Sequence, residues 1–324
     1  MRDRLIAFIA TPAPAGATAG NRVTALRWGK RLRELGWHVQ IGTEWAGERC
    51  DLLVALHAHK SHASLAGHAR ERPEAPRVLA LTGTDLYAEL LRDPAARESL
   101  EVATRLVVLQ PLALRQLPEQ VRDRARVIRQ SAAAPPPAPA QPDFTVCALA
   151  HLRDVKDPLL AAYAASRVPE RSRLRVVHLG GAPDDDWARR AREAERATSG
   201  RWTWLGARPR AEALRVLGGS RLLVLTSRSE GGANVVTEAI AAGVPVLSTR
   251  IDGSLGILGE TYPGYFEVGD AAGLADLLVR CEAEPGFLGE LRGHIAALRP
   301  LVDPAHERAS WRDLLGELAA RAHS

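Results

Sequence analysis

RLLVLTSRSEGGANVVTEAIAAGVPVLSTR, residues Arg221–Arg250, decides the fold class. RLLVLT is an apolar run of strand length. ANVVTEAIAAG reads as a helix that stops on Gly243, and VPVLSTR resumes a strand. Strand, helix, strand in that order is a crossover unit of a parallel sheet covered on both faces. The turn before the helix carries Gly231, Gly232, Ala233, Asn234 and Val235, with carboxylates at Glu230 and Glu238. Glycines permit close backbone approach, and a helix start points free N–H groups outward, here those of residues 232 to 235. The sequence places Glu230 just outside the helix and Glu238 about two turns in. Glu230 reads equally well as a cap. Glu238 fits a surface position poorly, because its neighbours are apolar and a buried carboxylate needs a partner.

The same alternation extends through the second half: FTVCALA, DPLLAAYAASRV, LRVVHLGG, DDDWARRAREAERA, WTWLGA and RAEALRVLGG precede the crossover. The first half repeats it. LIAFIA is a strand, and Ala25, Trp28, Leu32 and Leu35 then recur at helical spacing until Gly36. Strands WHVQIGT and DLLVALH, helix SHASLAGHARER, strand RVLALTG, helix DLYAELLRD and strands RLVVLQ and ARVIRQ follow. Between the halves lies AAAPPPAPAQP, which proline keeps from being a helix or inner strand. The expected organisation is a first domain at 1–134, a linker at 135–142, a second domain at 143–302 and a closing helix at 303–324. In that helix Asp303 is the expected N-cap, Pro304 the first residue, and Trp311, Leu314, Leu315, Leu318 and Ala322 one apolar stripe. The fold class is α/β: two doubly wound Rossmann-like domains facing a central cleft, with the last helix docking back across them.

A chain of 324 residues with 46% hydrophobic and 25% charged residues is globular and long enough for two domains. Net charge is only +5 and arginines are interleaved with Glu and Ala, so no nucleic-acid partner is expected. The three cysteines, Cys50, Cys147 and Cys281, form no metal-binding pattern and fit a reducing compartment. LIAFIA is shorter than a typical leader's apolar region, and no run approaches the roughly 20 apolar residues of a membrane span. A cytoplasmic location without membrane attachment is expected.

Ligands of open parallel sheets bind beyond the C-terminal strand ends, so the loops there are the candidates. The first holds Gly16, Gly20 and Asn21, with Arg22 just inside the next helix; it is an anion cradle or an ordinary flexible loop. LHAHKSH sets His57, His59 and Lys60 at a strand end, as an anion- or proton-handling cluster or as solvated loop residues. LTGTDLY offers Thr82, Gly83, Thr84 and Asp85, the last equally plausible as a helix cap. In LAHLRDVKDP, Arg153 and Lys156 suit a diphosphate, or surface pairing with Asp154 and Asp157. DDDW at 184–187 is best explained as helix capping.

Glu230 and Glu238, spaced E-x7-E after a strand and followed by GVPVLSTRIDG, resemble the retaining GT-B glycosyltransferases of the family 4 type. The Arg153 and Lys156 pair resembles that family's diphosphate-binding pair, and the Gly-rich first loop matches in position. The resemblance implies that Glu238 holds the ribose of a nucleotide-sugar and Glu230 the sugar ring. It implies that the amides of 231 to 235 line sugar and phosphates, that Arg153 and Lys156 stabilise the departing diphosphate, and that Gly206 to Arg208 lie near the base. It implies catalysis without a metal or other cofactor. The chain differs from the commonest form of the family's run at Gly232, Ala233 and Asn234. EGGANVV, GVPVLSTRIDGSLGILGE and YPGYFEVGD together look like the glycosyltransferase-like selenosugar synthases of selenoneine biosynthesis. That resemblance implies a UDP-sugar donor, with N-acetylglucosamine the expected sugar, and selenophosphate as acceptor. It also implies a functional link to a selenophosphate synthetase and a sulfoxide-synthase-like enzyme. His57, Lys60, His59 and Arg22 would then serve the anionic acceptor. The alternatives are a family 4-type transferase with a lipid or glycan hydroxyl acceptor, a UDP-sugar epimerase, and a non-catalytic nucleotide-sugar binding module.

Overall fold

The computed structural model describes residues 5–17, 19–83, 85–90, 92–135, 139 and 143–321. Thr84, Ala322 and most of the proline-rich segment lie outside the described residues. The chain divides into two compact units. The first comprises the residues up to Ser131, the short segment Glu230–Asn234 and everything from Asp303 onward; the second comprises Ala132–Ser229 and Val235–Val302.

The first unit is built on six parallel strands: β1 (Ile6–Ala10), β2 (His38–Gly42), β3 (Leu52–Leu56), β4 (Arg77–Leu81), β5 (Arg105–Val108) and β6 (Ala125–Val127), in the order β2-β1-β3-β4-β5-β6. β3, β4 and β5 are buried on both faces, which is why they read as unbroken apolar runs. Alternate residues feed two cores. Phe8, Leu53, Leu79 and Leu106 face helices α2 (His62–Glu71) and α3 (Pro94–Val102). Ile9, Val54, Val78 and Val107 face α1 (Gly20–Glu34) and the last helix, α11 (Pro304–Arg321). There Trp28 and Trp311 meet edge to face at 5.0 Å. Asp303 begins α11 as expected, its carboxylate accepting from the Ala305 amide.

The second unit repeats the plan with β7 (Phe144–Leu149), β8 (Leu174–Leu179), β9 (Trp202–Trp204), β10 (Leu222–Leu225), β11 (Val246–Thr249) and β12 (Tyr265–Phe266), ordered β12-β11-β10-β7-β8-β9, all parallel. Its helices are α4 (Leu160–Ala165), α5 (Asp185–Ala197), α6 (Arg210–Gly219), α7 (Asn234–Ala242), α8 (Asp252–Leu258), α9 (Ala271–Ala283) and α10 (Pro285–Leu298). Asp184 caps α5 through the Trp187 amide.

Three expectations need correction. DLYAELLRD is not an α-helix: residues Asp85–Glu89 make one wide π-type turn, and the helix comes later, over Pro94–Val102. Asp93 accepts from the Ala95 and Ala96 amides, and Pro94 fits the first turn because that position needs no N–H bond. ARVIRQ pairs over only three residues. The crossover helix starts at Asn234, so Glu238 stands one turn in rather than two.

Candidate functional site

Each sheet reverses its strand order once, and in open parallel sheets the loops beyond the strand ends at such a reversal are where ligands bind. In the second unit the reversal lies between β7 and β10. The loop after β7 holds Arg153 and Lys156. Arg153 is exposed and extended, and it opens the single turn Asp154–Lys156, which Asp157 closes in the left-handed region at φ 43°. The loop after β10 fastens that turn. Thr226 Oγ1 donates to the Lys156 carbonyl at 2.8 Å, the Arg228 amide to the Val155 carbonyl at 2.8 Å, and the Arg228 guanidinium pairs with Asp157 at 2.8 Å. Asp157, one of the two carboxylates expected to pair with Arg153 or Lys156, is bonded by Arg228, 71 residues along the chain.

The neighbouring loops are laced by backbone. The Leu152 amide donates to the Gly181 carbonyl and the Gly180 amide to the Gly206 carbonyl, each at 2.9 Å. A Cβ on Gly180 would fall 1.8 Å from the Ala150 carbonyl oxygen, so that position accepts only glycine. Sequence reasoning passed over Gly180 and Gly181, although a glycine pair directly after strand LRVVHL was the available signal. Gly206 adopts φ 72°. Arg208 lies 3.6 Å from Glu212, both half exposed.

Glu238 is buried on α7, and its carboxylate is bonded by the guanidinium of Arg210. Arg210 is the first residue of α6, and its own side chain is half exposed. A desolvated carboxylate with an exposed cationic partner is a pair open to a ligand from one side. Arg210 was missed. The partner that a buried Glu238 demanded comes from 28 residues away, a distance no local pattern encodes.

In the first unit the reversal lies between β1 and β3. The loop after β1 turns at Gly16, φ 82°, and leads into α1, whose N-terminus has no side-chain cap and no acidic residue in its first turn. Asn21 and Arg22 lie in that turn, both partly buried. After β3, His57 is buried and held at φ 85°, with the Lys60 amide donating to its Nδ1. Lys60 is exposed, and His59 pairs with Asp93 at 2.7 Å. The Asp93 carboxyl is held below its usual range, chiefly by the Ala96 amide. Asp85 is fully buried and accepts from the amides of Gly83 at 2.7 Å, Ala58 at 3.1 Å and Thr82 at 3.4 Å. It therefore binds the loops after β3 and β4 to each other.

Glu230–Asn234 packs against the residues that follow β4 and β5. A Cβ on Gly231 would lie 2.6 Å from the Thr82 carbonyl carbon, and one on Gly232 would lie 2.7 Å from Leu109 Cβ. The twin glycines let backbone and core approach closely. Glu230 and Ala233 are buried, Val235 partly so. The Asn234 side chain accepts from Arg27 Nη1 at 2.7 Å. Among the described residues no three His, Cys, Asp or Glu side chains converge as metal ligands.

Residues 132–294, half of the chain, match the family described as Glycosyl transferases group 1. The chain belongs to this family. Its solved likenesses carry the fold. HepE of Anabaena, in complex with UDP and glucose, is 15% identical with a TM-score of 0.77, over 97% of this chain and 100% of that one. Sucrose-phosphate synthase from Thermosynechococcus elongatus is 16% identical with a TM-score of 0.77, over 98% and 100%. A UDP-forming α,α-trehalose-phosphate synthase from Burkholderia xenovorans, in complex with glucose-6-phosphate, is 12% identical with a TM-score of 0.75, over 98% and 100%. No curated protein sequence matches the chain. The protein is thus a group 1 glycosyltransferase with a GT-B-like fold of two parallel six-stranded sheets. Among the described residues no helix is long and apolar enough to cross a membrane.

Proposed function

We propose that this glycosyltransferase takes its sugar from a UDP-sugar, N-acetylglucosamine being the expected sugar, and passes it to selenophosphate. The observation that carries the donor half is the buried Glu238 carboxylate one turn into α7, bonded to the half-exposed Arg210. A carboxylate so placed accepts two ribose hydroxyls when the guanidinium shifts aside. Arg153 and Lys156, at the strand-order reversal of the same sheet, neutralise the departing diphosphate. HepE binds UDP and glucose, which supports a UDP-sugar donor here.

The acceptor half rests on the selenosugar-synthase-like motifs and on the chemistry of the first unit's loops. Selenophosphate is small and highly anionic, and Lys60, His57, His59 and Arg22 supply cationic or hydrogen-bonding groups. Selenium attacks C1 as the C1–oxygen bond to UDP breaks, UDP leaves with the electron pair, and water then removes the phosphoryl group. No metal takes part in this reading. The epimerase alternative loses weight because Asp85, the carboxylate it would use as acid or base, is occupied by three backbone amides.

The test is incubation with UDP-N-acetylglucosamine and selenophosphate, followed by mass spectrometry for a product with the selenium isotope pattern. UDP release only with a hydroxyl acceptor replaces selenophosphate and leaves the donor half standing. Lys60→Ala is expected to abolish product while sparing UDP binding; unchanged turnover removes Lys60 from the acceptor site.

A further inference from the structure

Glu307, on the last helix, is a fully buried carboxylate. Arg27 Nε and Trp28 Nε1 each donate to its Oε1 at 2.9 Å, and Ser131 Oγ donates to Oε2 at 2.5 Å. Arg31 Nε stands 3.7 Å away. A buried charge so fully satisfied is rigid, and it fixes whatever fixes it. Arg27 is fixed from one side of its guanidinium. The other side reaches outward, where Nη1 donates to the Asn234 side-chain oxygen at 2.7 Å. Asn234 Nδ2 in turn approaches the Gly20 carbonyl at 3.4 Å and Thr24 Oγ1 at 3.5 Å. Asn234 is the first residue of α7 and the last of the segment that begins at Glu230.

We propose that Arg27 is a positioning residue for the Glu230–Asn234 segment: anchored by Glu307, its guanidinium holds Asn234 and sets the register of the loop. For catalysis this rests on the reading of that loop as the donor cradle. The planar fork of arginine is what the role requires. A lysine keeps a charge beside Glu307 but, as a single point donor, cannot also hold Asn234 in the same geometry. Misplacing a positioning group weakens alignment in the transition state more than ground-state binding.

The experiment compares the wild type, Arg27→Lys, Asn234→Leu and the double variant in the full-length protein. Asn234→Leu leaves the surroundings of Glu307 intact and so guards against a folding failure of Arg27→Lys. Hydrogen exchange is expected to speed up about tenfold in peptides spanning residues 229–240 in both single variants, with peptides from β3 and β4 unchanged. With UDP-sugar turnover as readout, kcat is expected to fall about tenfold while KM for the donor changes less than about threefold. The double variant should be no worse than Asn234→Leu alone. Unchanged exchange at 229–240, uniform loosening of the first unit, or additive losses in the double variant overturns the proposal. A wild type that turns over no UDP-sugar refutes the donor reading instead, and the exchange arm still decides the role of Arg27.

Discussion

At Gly231 one methyl group is enough to collide with the peptide of Thr82, because the Cβ position lies 2.6 Å from its carbonyl carbon and 2.7 Å from the Gly83 nitrogen. Backbone cannot yield as a flexible side chain can. Gly231→Ala should therefore cost about 1–3 kcal/mol by overpacking, read as a lower urea midpoint with an unchanged slope; a shift under about 0.5 kcal/mol would show that the loop moves freely. The glycines were legible as a demand for close approach. What they approach was not, since Thr82 and Leu109 lie over a hundred positions upstream. At Glu238 the balance differs. Its apolar helical neighbours announced a buried carboxylate, and only the fold supplied Arg210. Glu238→Ala removes the proposed ribose acceptor and leaves Arg210 half exposed and solvated, so stability should change little. UDP affinity should drop by about tenfold or more, the worth of a charge-assisted pair of hydrogen bonds, measurable by titration calorimetry. Equal affinity would detach Glu238 from the nucleotide.

Elements with strong periodicity were readable, as were the caps at Asp184 and Asp303, whereas the stretch governed by Asp85 was not. The apolar spacing of Trp28 and Leu32 gave α1, and the unbroken runs gave β3 and β4. The helix at DLYAELLRD failed because Asp85 spends its carboxylate on the amides of Ala58, Thr82 and Gly83, and the stretch it opens makes a wide π-type turn instead. The overlooked start signal was Asp93–Pro94, a cap followed by a first-turn proline. Two elements also bury a histidine. His178 on β8 lies 2.9 Å from the Ala150 carbonyl, and burial pushes it down to about 4. His68 on α2 is pushed to about 4 by burial and by Arg77 and Arg72. Both folded values lie below the ordinary 6.5, so the unfolded chain binds more protons across that interval. Stability should be full above about pH 6.5 and decline as pH falls toward 4. His178→Phe should flatten the pH dependence of the urea midpoint between pH 6.5 and 4.5, whatever it does to absolute stability. An unaltered slope would mean that His178 is not held neutral.

At the scale of the whole chain, the first unit is assembled from three pieces of sequence, and the last of them is structural. The apolar stripe on α11 was legible as a face that needed covering; that it covers α1 was not, because a stripe names no partner. Trp311, Leu314 and Leu318 are buried in the core that holds Ile9, Trp28 and Leu32, and Glu307 satisfies the Trp28 indole and the Arg27 guanidinium. A chain ending at Ser131 keeps all six strands of the first sheet and loses all of this. Trp28 would be bared on one side, and Arg27 and Arg31 would lose the carboxylate that justifies their partial burial. Removing one large buried aromatic alone costs about 3–5 kcal/mol, much of the roughly 5–15 kcal/mol that holds a domain together. Residues 1–131 alone should therefore lack a cooperative thermal transition and a dispersed amide spectrum. Co-expression with residues 303–324 as a separate chain should restore both, and Trp311→Ala in that second chain should abolish the rescue. Cooperative unfolding of residues 1–131 on their own would show that the sheet and its other face suffice, and that the last helix is an accessory to the first unit rather than part of its core.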